Sequence, residues 1–276
     1  MNRKLVFLDI DGTLTPPGTN VPPASALKAI RTAQANGHRV FLCSGRNLAM
    51  LAPVLALGFE GAVASGGGYV FAGNRVLFDC PMTKAQQDAG MRLLRESGVI
   101  RTVEARDGSW CDEDLSDFFA KAGDMNSEME RIHRQIAEEL NIRPMREYDG
   151  RPIYKIVFMC NDLSQLLPAR QALENEFNFL LWEPMRSGVI DGEMINRKFD
   201  KGSGVRIIAE ALGVDLADTI GFGDSMNDLE MMKTVGVSVC MENGSPAVKA
   251  RSSMVCPAVT EDGLAWAFEK LNLLNG

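Results

Sequence analysis

The rhythm of apolar runs and helical patterns constrains the fold of this chain more than any single motif. Lys4–Leu8 is a short, apolar, partly branched run of the kind that fills a buried parallel strand. Pro22 and Pro23 open a helical pattern over Ala24–Asn36, with Ala26, Leu27, Ile30 and Ala33 on one face and Gly37 at the stop. Arg39–Cys43 reads as a second strand. A Ser-Gly-Arg turn then leads into a helix through Leu57, and Ala62–Ala64 reads as a third strand. This β-α-β-α-β order predicts a parallel sheet with helices on both faces.

After about Pro81 the rhythm changes. Helix is expected over Lys84–Ser97, strand around Ile100–Ala105, and a polar helical stretch over Asn126–Leu140. A strong strand over Ile153–Cys160 follows, then helix over Leu163–Phe177 and strand over Phe179–Trp182. Several of these strands succeed one another without a crossover helix, which predicts an α+β segment with an antiparallel sheet. Beyond Lys201 the first rhythm returns, with helix Gly202–Leu212, strand Thr219–Phe222, helix Asn227–Thr234, strand Val237–Cys240 and helix Pro246–Arg251. The expected class is therefore α/β, with a doubly wound parallel-sheet core over residues 1–82 and 187–276 and an α+β insertion over residues 83–186. A length of 276 residues suits one domain carrying such an insertion.

Composition narrows the partners. Hydrophobic residues make up 46% and charged residues 24%, enough for a real core in a globular protein. A net charge of −7 argues against non-specific nucleic-acid binding, which calls for a basic footprint. The six cysteines (Cys43, Cys80, Cys111, Cys160, Cys240 and Cys256) form no C-x-x-C pair, which disfavours zinc ribbons and thioredoxin-like sites. The apolar run Leu5–Leu8 is too short for the core of an export signal, and no other stretch is long enough to span a membrane. The expected compartment is the cytoplasm, with no membrane partner.

Four segments carry chemistry. Directly after the first strand stands Leu8-Asp9-Ile10-Asp11-Gly12-Thr13-Leu14, so two carboxylates fall at the carboxyl end of a strand, where open α/β sheets bind ligands. Close carboxylates repel unless a cation or proton compensates, and a magnesium ion with its preference for oxygen ligands would do so. Gly221-Phe222-Gly223-Asp224-Ser225-Met226-Asn227-Asp228 brings two more acids to the same sheet edge. A capped helix start explains one of those acids and leaves the other unexplained. Cys43-Ser44-Gly45-Arg46 offers a hydroxyl and backbone amides at a helix start, an anion cradle or simply a capped helix. A cysteine-phosphatase reading of Cys43 fails because Ala49, rather than an arginine, stands six positions later. Lys201 in Asp200-Lys201-Gly202 is a surface charge in most contexts, but near a phosphate site it would neutralise nucleophile and transferring group alike.

Taken in order, these segments resemble the haloacid dehalogenase superfamily of phosphohydrolases, with Asp-x-Asp-Gly-Thr, a serine after the second strand, a lysine after the insertion and Gly-Asp-x-x-Asn-Asp. The order of elements in the insertion is similar to the cap of the type IIB, or Cof-like, branch. Val239-Cys240-Met241-Glu242-Asn243-Gly244 and Thr260-Glu261-Asp262-Gly263 look like two further segments of that branch. The resemblance covers nearly the whole chain and implies a Rossmann-like core with an inserted cap that sets substrate specificity.

It also implies a mechanism. Asp9 would be the nucleophile, forming an aspartyl phosphate, and Asp11 the general acid and then base. Lys201 and Ser44 would bind the phosphoryl oxygens, with Gly45 and Asn227 shaping that pocket and Arg46 counted among its phosphate-binding residues. Magnesium would be held by Asp9, the Asp11 backbone carbonyl and Asp224, with Asp228 in or just behind the coordination shell. The implied substrate is a small phosphorylated metabolite such as a sugar phosphate, handled by a monomer or homodimer. A phosphomutase or phosphotransferase on the same scaffold is the alternative. A non-catalytic metabolite-binding regulator is disfavoured, because Asp9, Asp11, Lys201 and Asp224 are all retained. One departure stands out: the third strand ends Ala64-Ser65-Gly66-Gly67-Gly68, with Gly66 where the branch commonly has asparagine. Either the glycine only serves a turn or the pocket has lost a polar group. In the cap, Trp110, Arg151, Tyr154, Lys155 and Arg186 are candidates for facing substrate, though packing or solvent is the commoner fate of such residues. His38 and His133 are too isolated to suggest a zinc site.

Overall fold

The structure is a computed structural model, described here for residues 3–17, 19–112, 141–181 and 189–275. The expected helical stretch Asn126–Leu140, together with Trp182 and Arg186, lies outside these residues. So does the segment around the expected boundary between residues 186 and 187. The described chain separates into two compact units. One comprises Met1–Arg46, Leu51–Asp79 and Phe199–Gly276, and the other Asn47–Met50 and Cys80–Lys198.

The first unit is built on a sheet of strands β1 (Leu5–Leu8), β2 (Arg39–Cys43), β3 (Gly61–Ala64), β4 (Tyr69–Ala72) and β5 (Arg75–Asp79), joined later in the chain by three more. The second unit carries β6 (Ile100–Ala105), β7 (Gly108–Cys111), β8 (Ile142–Pro144), β9 (Ile153–Cys160), β10 (Phe177–Leu181) and β11 (Ile190–Asn196). The first sheet is completed by β12 (Thr219–Gly223), β13 (Val237–Met241) and β14 (Met254–Cys256). Its order is β14-β13-β12-β1-β2-β3-β4-β5. Strands β14 to β3 run parallel, and only the β4–β5 hairpin turns antiparallel at one edge.

β1 is buried along its whole length, as its run of Leu, Val and Phe requires, because both of its edges are paired. The chain proceeds outward from β1 through β2 and β3 on one side and returns through β12 on the other. The β1/β12 seam is therefore the switch point of the sheet, and the crevice beyond its carboxyl ends is where such folds bind ligands. Helix α1 (Ala24–Ala35) buries Ala26, Ala29, Ile30 and Ala33, a spacing of one face, and stops before Gly37 at φ 89°. Helix α2 spans Leu48–Leu55.

In the second unit, helices α3 (Lys84–Glu96) and α4 (Leu167–Leu173) pack on one face of a sheet ordered β10-β11-β9-β6-β7-β8. Their common core includes Leu94, Val103, Trp110, Ile156, Phe158, Leu166, Leu173 and Phe177. Pairing is antiparallel except for β7 with β8. Besides adding β7 and β8, the structure differs from the expected elements in two places here. The helix expected to reach Phe177 ends at Leu173, because Phe177 is drawn into the sheet opposite Asn196. Arg197 caps the helix end by donating to the Glu174 carbonyl at 2.7 Å. β11, not expected as a strand and lying within the range 187–276 expected for the core, hydrogen-bonds to β9 and β10 in this unit, since no helix intervenes to carry it to the first sheet. Asn47 and the first three residues of α2 also group with this unit, where the Asn47 amide donates to the Gly108 carbonyl and the Ser109 hydroxyl.

The core resumes with α5 (Lys201–Leu212), α6 (Leu229–Thr234), α7 (Pro246–Lys249) and α8 (Gly263–Lys270). Among the described residues, no helix is long and apolar enough to cross a membrane.

Candidate active site

The carboxyl end of β1 delivers Asp9. Its backbone N–H still donates to the Phe222 carbonyl at 3.0 Å, so the strand pairing with β12 sets the position of the side chain. Gly12, at φ 82°, then turns the chain sharply. A Cβ there would come within 2.4 Å of an Asp224 carboxylate oxygen, so this turn admits only glycine if Asp224 is to approach. Asp224 follows β12, and its Oδ1 accepts a hydrogen bond from the Thr13 hydroxyl at 3.1 Å.

Lys201 is the second residue of the site and the first of α5. Asp200 caps that helix by accepting from the Ser203 backbone N–H at 2.6 Å, while the Ser203 hydroxyl oxygen accepts from the Asp200 backbone N–H at 2.9 Å. The cap fixes the start of α5 and with it the direction of Lys201, whose Nζ donates to Asp9 at 2.7 Å, Asp228 at 2.6 Å and the Asn227 amide oxygen at 3.0 Å. All three donors of the ammonium are thereby used. Asp228 gives its other oxygen to the backbone N–H groups of Asp224 and Ser225, both at 3.0 Å. Both oxygens of Asp228 are therefore engaged in holding the lysine and the Asp224 loop.

Three carboxylates gather around one ammonium, and the electrostatics follow. Burial pushes the Asp9 carboxyl well above the usual range, with the Asp228 charge adding to it and Lys201 only partly opposing. Burial and Asp228 likewise push Asp224 up to about 6. For Lys201 burial works to lower the value, but Asp228 and Asp9 outweigh it and raise the value above the ordinary range. Asp9, Asp224 and Asp228 each bring a carboxylate oxygen within 4.8 Å of the others. A set of hard oxygen donors with an excess of negative charge fits a divalent cation, which would offset the burial and the repulsion that together raise Asp9 and Asp224.

The second strand delivers Ser44, whose hydroxyl accepts from the Arg46 backbone N–H at 3.2 Å, while Gly45 lies half-buried between them. The turn is clamped from the end of β3, where the Gly66 N–H donates to the Ser44 carbonyl at 3.0 Å and the Ser65 N–H to the Arg46 carbonyl at 2.9 Å. Gly66 sits at φ 65° and ψ 18°, left-handed backbone that asparagine also tolerates. The turn and its clamp thus need only the main chain at this position.

Arg46 points at Asp11. Its Nε and Nη2 donate to the two Asp11 oxygens at 2.9 and 2.7 Å. Two contacts escaped the sequence reading. Asn243 donates to the Gly12 carbonyl at 2.8 Å and accepts from the Val259 N–H at 3.0 Å, bracing the turn after Asp9. Thr13 is the other, through its bond to Asp224. The only signal for Asn243 was its place in a segment resembling the type IIB branch. Cys43 is buried, and burial pushes its thiol above the ordinary range, so it offers no nucleophile.

Of the cap candidates, Trp110 is fully buried in the apolar core of its unit, with the guanidinium groups of Arg143 and Arg151 at 4.4 and 5.1 Å from its ring. Arg151 also pairs with Asp149 and Asp107, and Tyr154 is buried. Lys155 lies between Glu193 at 3.0 Å and Glu104 at 3.6 Å.

A family profile described as haloacid dehalogenase-like hydrolase matches residues 6–268. YkrA of Bacillus subtilis (strain 168), designated a candidate phosphatase, is 29% identical over 99% of this chain and 100% of its own length. The pyridoxal phosphate phosphatase YbhA of Escherichia coli (strain K12) is 23% identical over 96% of this chain and 97% of its own. Among solved structures, the subclass IIB sugar phosphatase BT4131 superposes with a TM-score of 0.78 at 20% identity, covering 98% of this chain and 99% of that one. With the profile spanning nearly every residue from β1 to α8, the chain belongs to the haloacid dehalogenase-like hydrolase family.

Proposed function

We propose that this enzyme is a magnesium-dependent phosphomonoesterase that hydrolyses a small phosphorylated metabolite, a sugar phosphate or similar, through an aspartyl phosphate on Asp9. The observation that carries this reading is the convergence of Lys201 on Asp9 and Asp228 beside Asp224, at the switch point of the sheet. That the enzyme is a phosphatase also agrees with its relatives.

In the first step an Asp9 oxygen attacks phosphorus and the bond to the leaving oxygen breaks, while Asp11 gives that oxygen a proton. In the second, Asp11 takes a proton from water, which attacks the acyl phosphate and releases inorganic phosphate and the Asp9 carboxylate. Lys201 neutralises the nucleophile and the phosphoryl oxygens, and Ser44 and the Gly45 amide bind those oxygens. The Asp9 carboxylate, the Asp11 backbone carbonyl and Asp224 would hold magnesium, whose charge offsets that of the transferring group. Asp228, with both oxygens engaged, acts from behind by orienting Lys201 and the Asp224 loop. The unit holding the site is read as the catalytic core and the other as the specificity cap. A cytoplasmic setting and a monomer or homodimer complete the reading.

The test is a panel of sugar phosphates, phosphoglycerates, nucleotides and cofactor phosphates assayed with and without magnesium. Asp9→Asn should lower turnover by roughly 10⁴-fold or more while leaving the melting temperature within a few degrees, as removal of a nucleophile does elsewhere. Turnover retained in that variant would sink the mechanism.

A further inference from the structure

We propose that Arg46 is a positioning residue for Asp11, rather than a ligand for the phosphoryl group as its place after Ser44 suggested. The inference rests on the assignment of Asp11 as the acid–base group.

A guanidinium carries five N–H donors in a rigid plane. In Arg46, Nε and one Nη2 hydrogen form a fork on Asp11, at 2.9 and 2.7 Å. Nη1 donates to the Asn20 side-chain oxygen at 2.6 Å, and Nη2 donates again to the Thr19 carbonyl at 3.2 Å. Four donors are thus committed to the protein, and the fork that would otherwise take two phosphoryl oxygens already holds a carboxylate.

The arginine is also fixed at its other end. Its N–H donates to Ser44 Oγ and its carbonyl accepts from Ser65 N–H, so the main chain is tied to the ends of both β2 and β3. Exposure divides the pair: the Arg46 side chain is 6% exposed and that of Asp11 42%. The buried partner is the anchor and the half-exposed partner is the one presented to a ligand.

Asp11 sits in a short loop that leaves the sheet, where a lone aspartate would sample several rotamers. A fork bond to both of its oxygens fixes the plane of the carboxylate. Proton transfer to a leaving oxygen depends on that plane, and general acid catalysis contributes factors of about 10² to 10⁴. Loss of the fork should therefore act on the step in which the leaving group departs, and only where that group needs a proton.

The experiment compares kcat/KM for the best alkyl phosphate of the panel with kcat/KM for p-nitrophenyl phosphate, whose leaving group departs unprotonated. In Arg46→Ala the alkyl phosphate should lose about 10²-fold and p-nitrophenyl phosphate less than about fivefold, the span expected of a misplaced acid. Inhibition by inorganic phosphate should change by less than about twofold, since no phosphoryl contact is lost. In an Asp11→Asn background the same substitution should cost nothing further. Arg46→Lys, which keeps the charge but cannot form a planar fork, should reproduce the substrate-dependent loss and serves if the alanine variant fails to fold. Equal losses on both substrates, with weaker phosphate inhibition, would make Arg46 a phosphoryl ligand and overturn the proposal. The underlying acid–base assignment fails separately, if Asp11→Asn alone leaves turnover of the alkyl phosphate intact.

Discussion

Two buried lysines, one in each unit, are each flanked by two acids, and their settings separate chemistry from architecture. Lys201 is 2% exposed and bridges Asp9 and Asp228; Lys155 is 5% exposed and stands between Glu193 and Glu104. For both, burial works to lower the pKa and the neighbouring carboxylates raise it above the ordinary range. The difference lies in where the partners stand. Glu104 faces Lys155 directly across β6 and β9, and Glu193 lies diagonally on β11, so this cluster is a set of cross-strand pairs in the middle of a sheet. The partners of Lys201 come from loops beyond the ends of β1 and β12, on backbone that pairing positions without covering. An ion cluster of this kind becomes a candidate for catalysis when it stands at strand ends with a third acid, Asp224, in reach.

The comparison breaks most readily by removing each ammonium in turn. Lys201→Met should lower turnover by about 10² to 10⁴-fold, as loss of a preorganised charge at a reacting centre does. Lys155→Met should leave turnover at low temperature within a few-fold, yet destabilise its unit by about 3 to 5 kcal/mol in urea, since two buried acids lose their shared cation. The triple variant Lys155→Met/Glu104→Gln/Glu193→Gln should recover most of that stability. If Lys155→Met instead raises KM for one substrate class selectively, the second cluster reads substrate and the contrast fails.

A smaller effect tests the excess of negative charge around Lys201. Saturating magnesium should raise the melting temperature of the wild type, the stabilisation amounting to about 2.7 kcal/mol at a hundred times the dissociation constant. Asp224→Asn should remove most of that rise, whereas Lys155→Met should keep it. A rise unchanged in Asp224→Asn would move the cation elsewhere. The smallest effect is expected at Gly66→Asn, within about 0.5 kcal/mol in stability, because the left-handed backbone suits either residue. A gain in kcat/KM for particular substrates would mean that the pocket had lost a polar group there.

The α/β core was legible because its signals are local. Apolar runs marked β1, β2, β3, β12 and β13 to within a residue or two, and acids at two strand ends pointed to one edge. The β4–β5 hairpin and the short β14 escaped notice, being half-exposed or brief. In the cap the apolar pattern located some strands but could not say which pair, so Ile190–Asn196 went unread as a strand and Trp110, now in a core, stood as a candidate for facing substrate. The contacts that refine the site are long-range. Asn243 reaches Gly12 across 231 residues, and Arg46 finds Asp11 and Asn20 through a loop with no periodic signature. Identity and spacing suggest which groups meet phosphate; they do not say which group holds another in place.

The central place of β1 bears on how the chain comes to be folded at all. Beside it lies β12, and Lys4 and Asp218 at the start of that pairing are 214 residues apart in sequence. The middle strand of the catalytic sheet therefore leaves the ribosome long before its second neighbour exists, and the strands of the inserted unit emerge in between. Closing so long a loop comes late and is entropically costly, so the seam between β1 and β12 should be among the last contacts made. Asp9, Lys201 and Asp224 meet at that seam. During synthesis the nascent chain should thus stay catalytically silent until its final quarter is under way, with the unpaired edge of β1 the segment most in need of a chaperone.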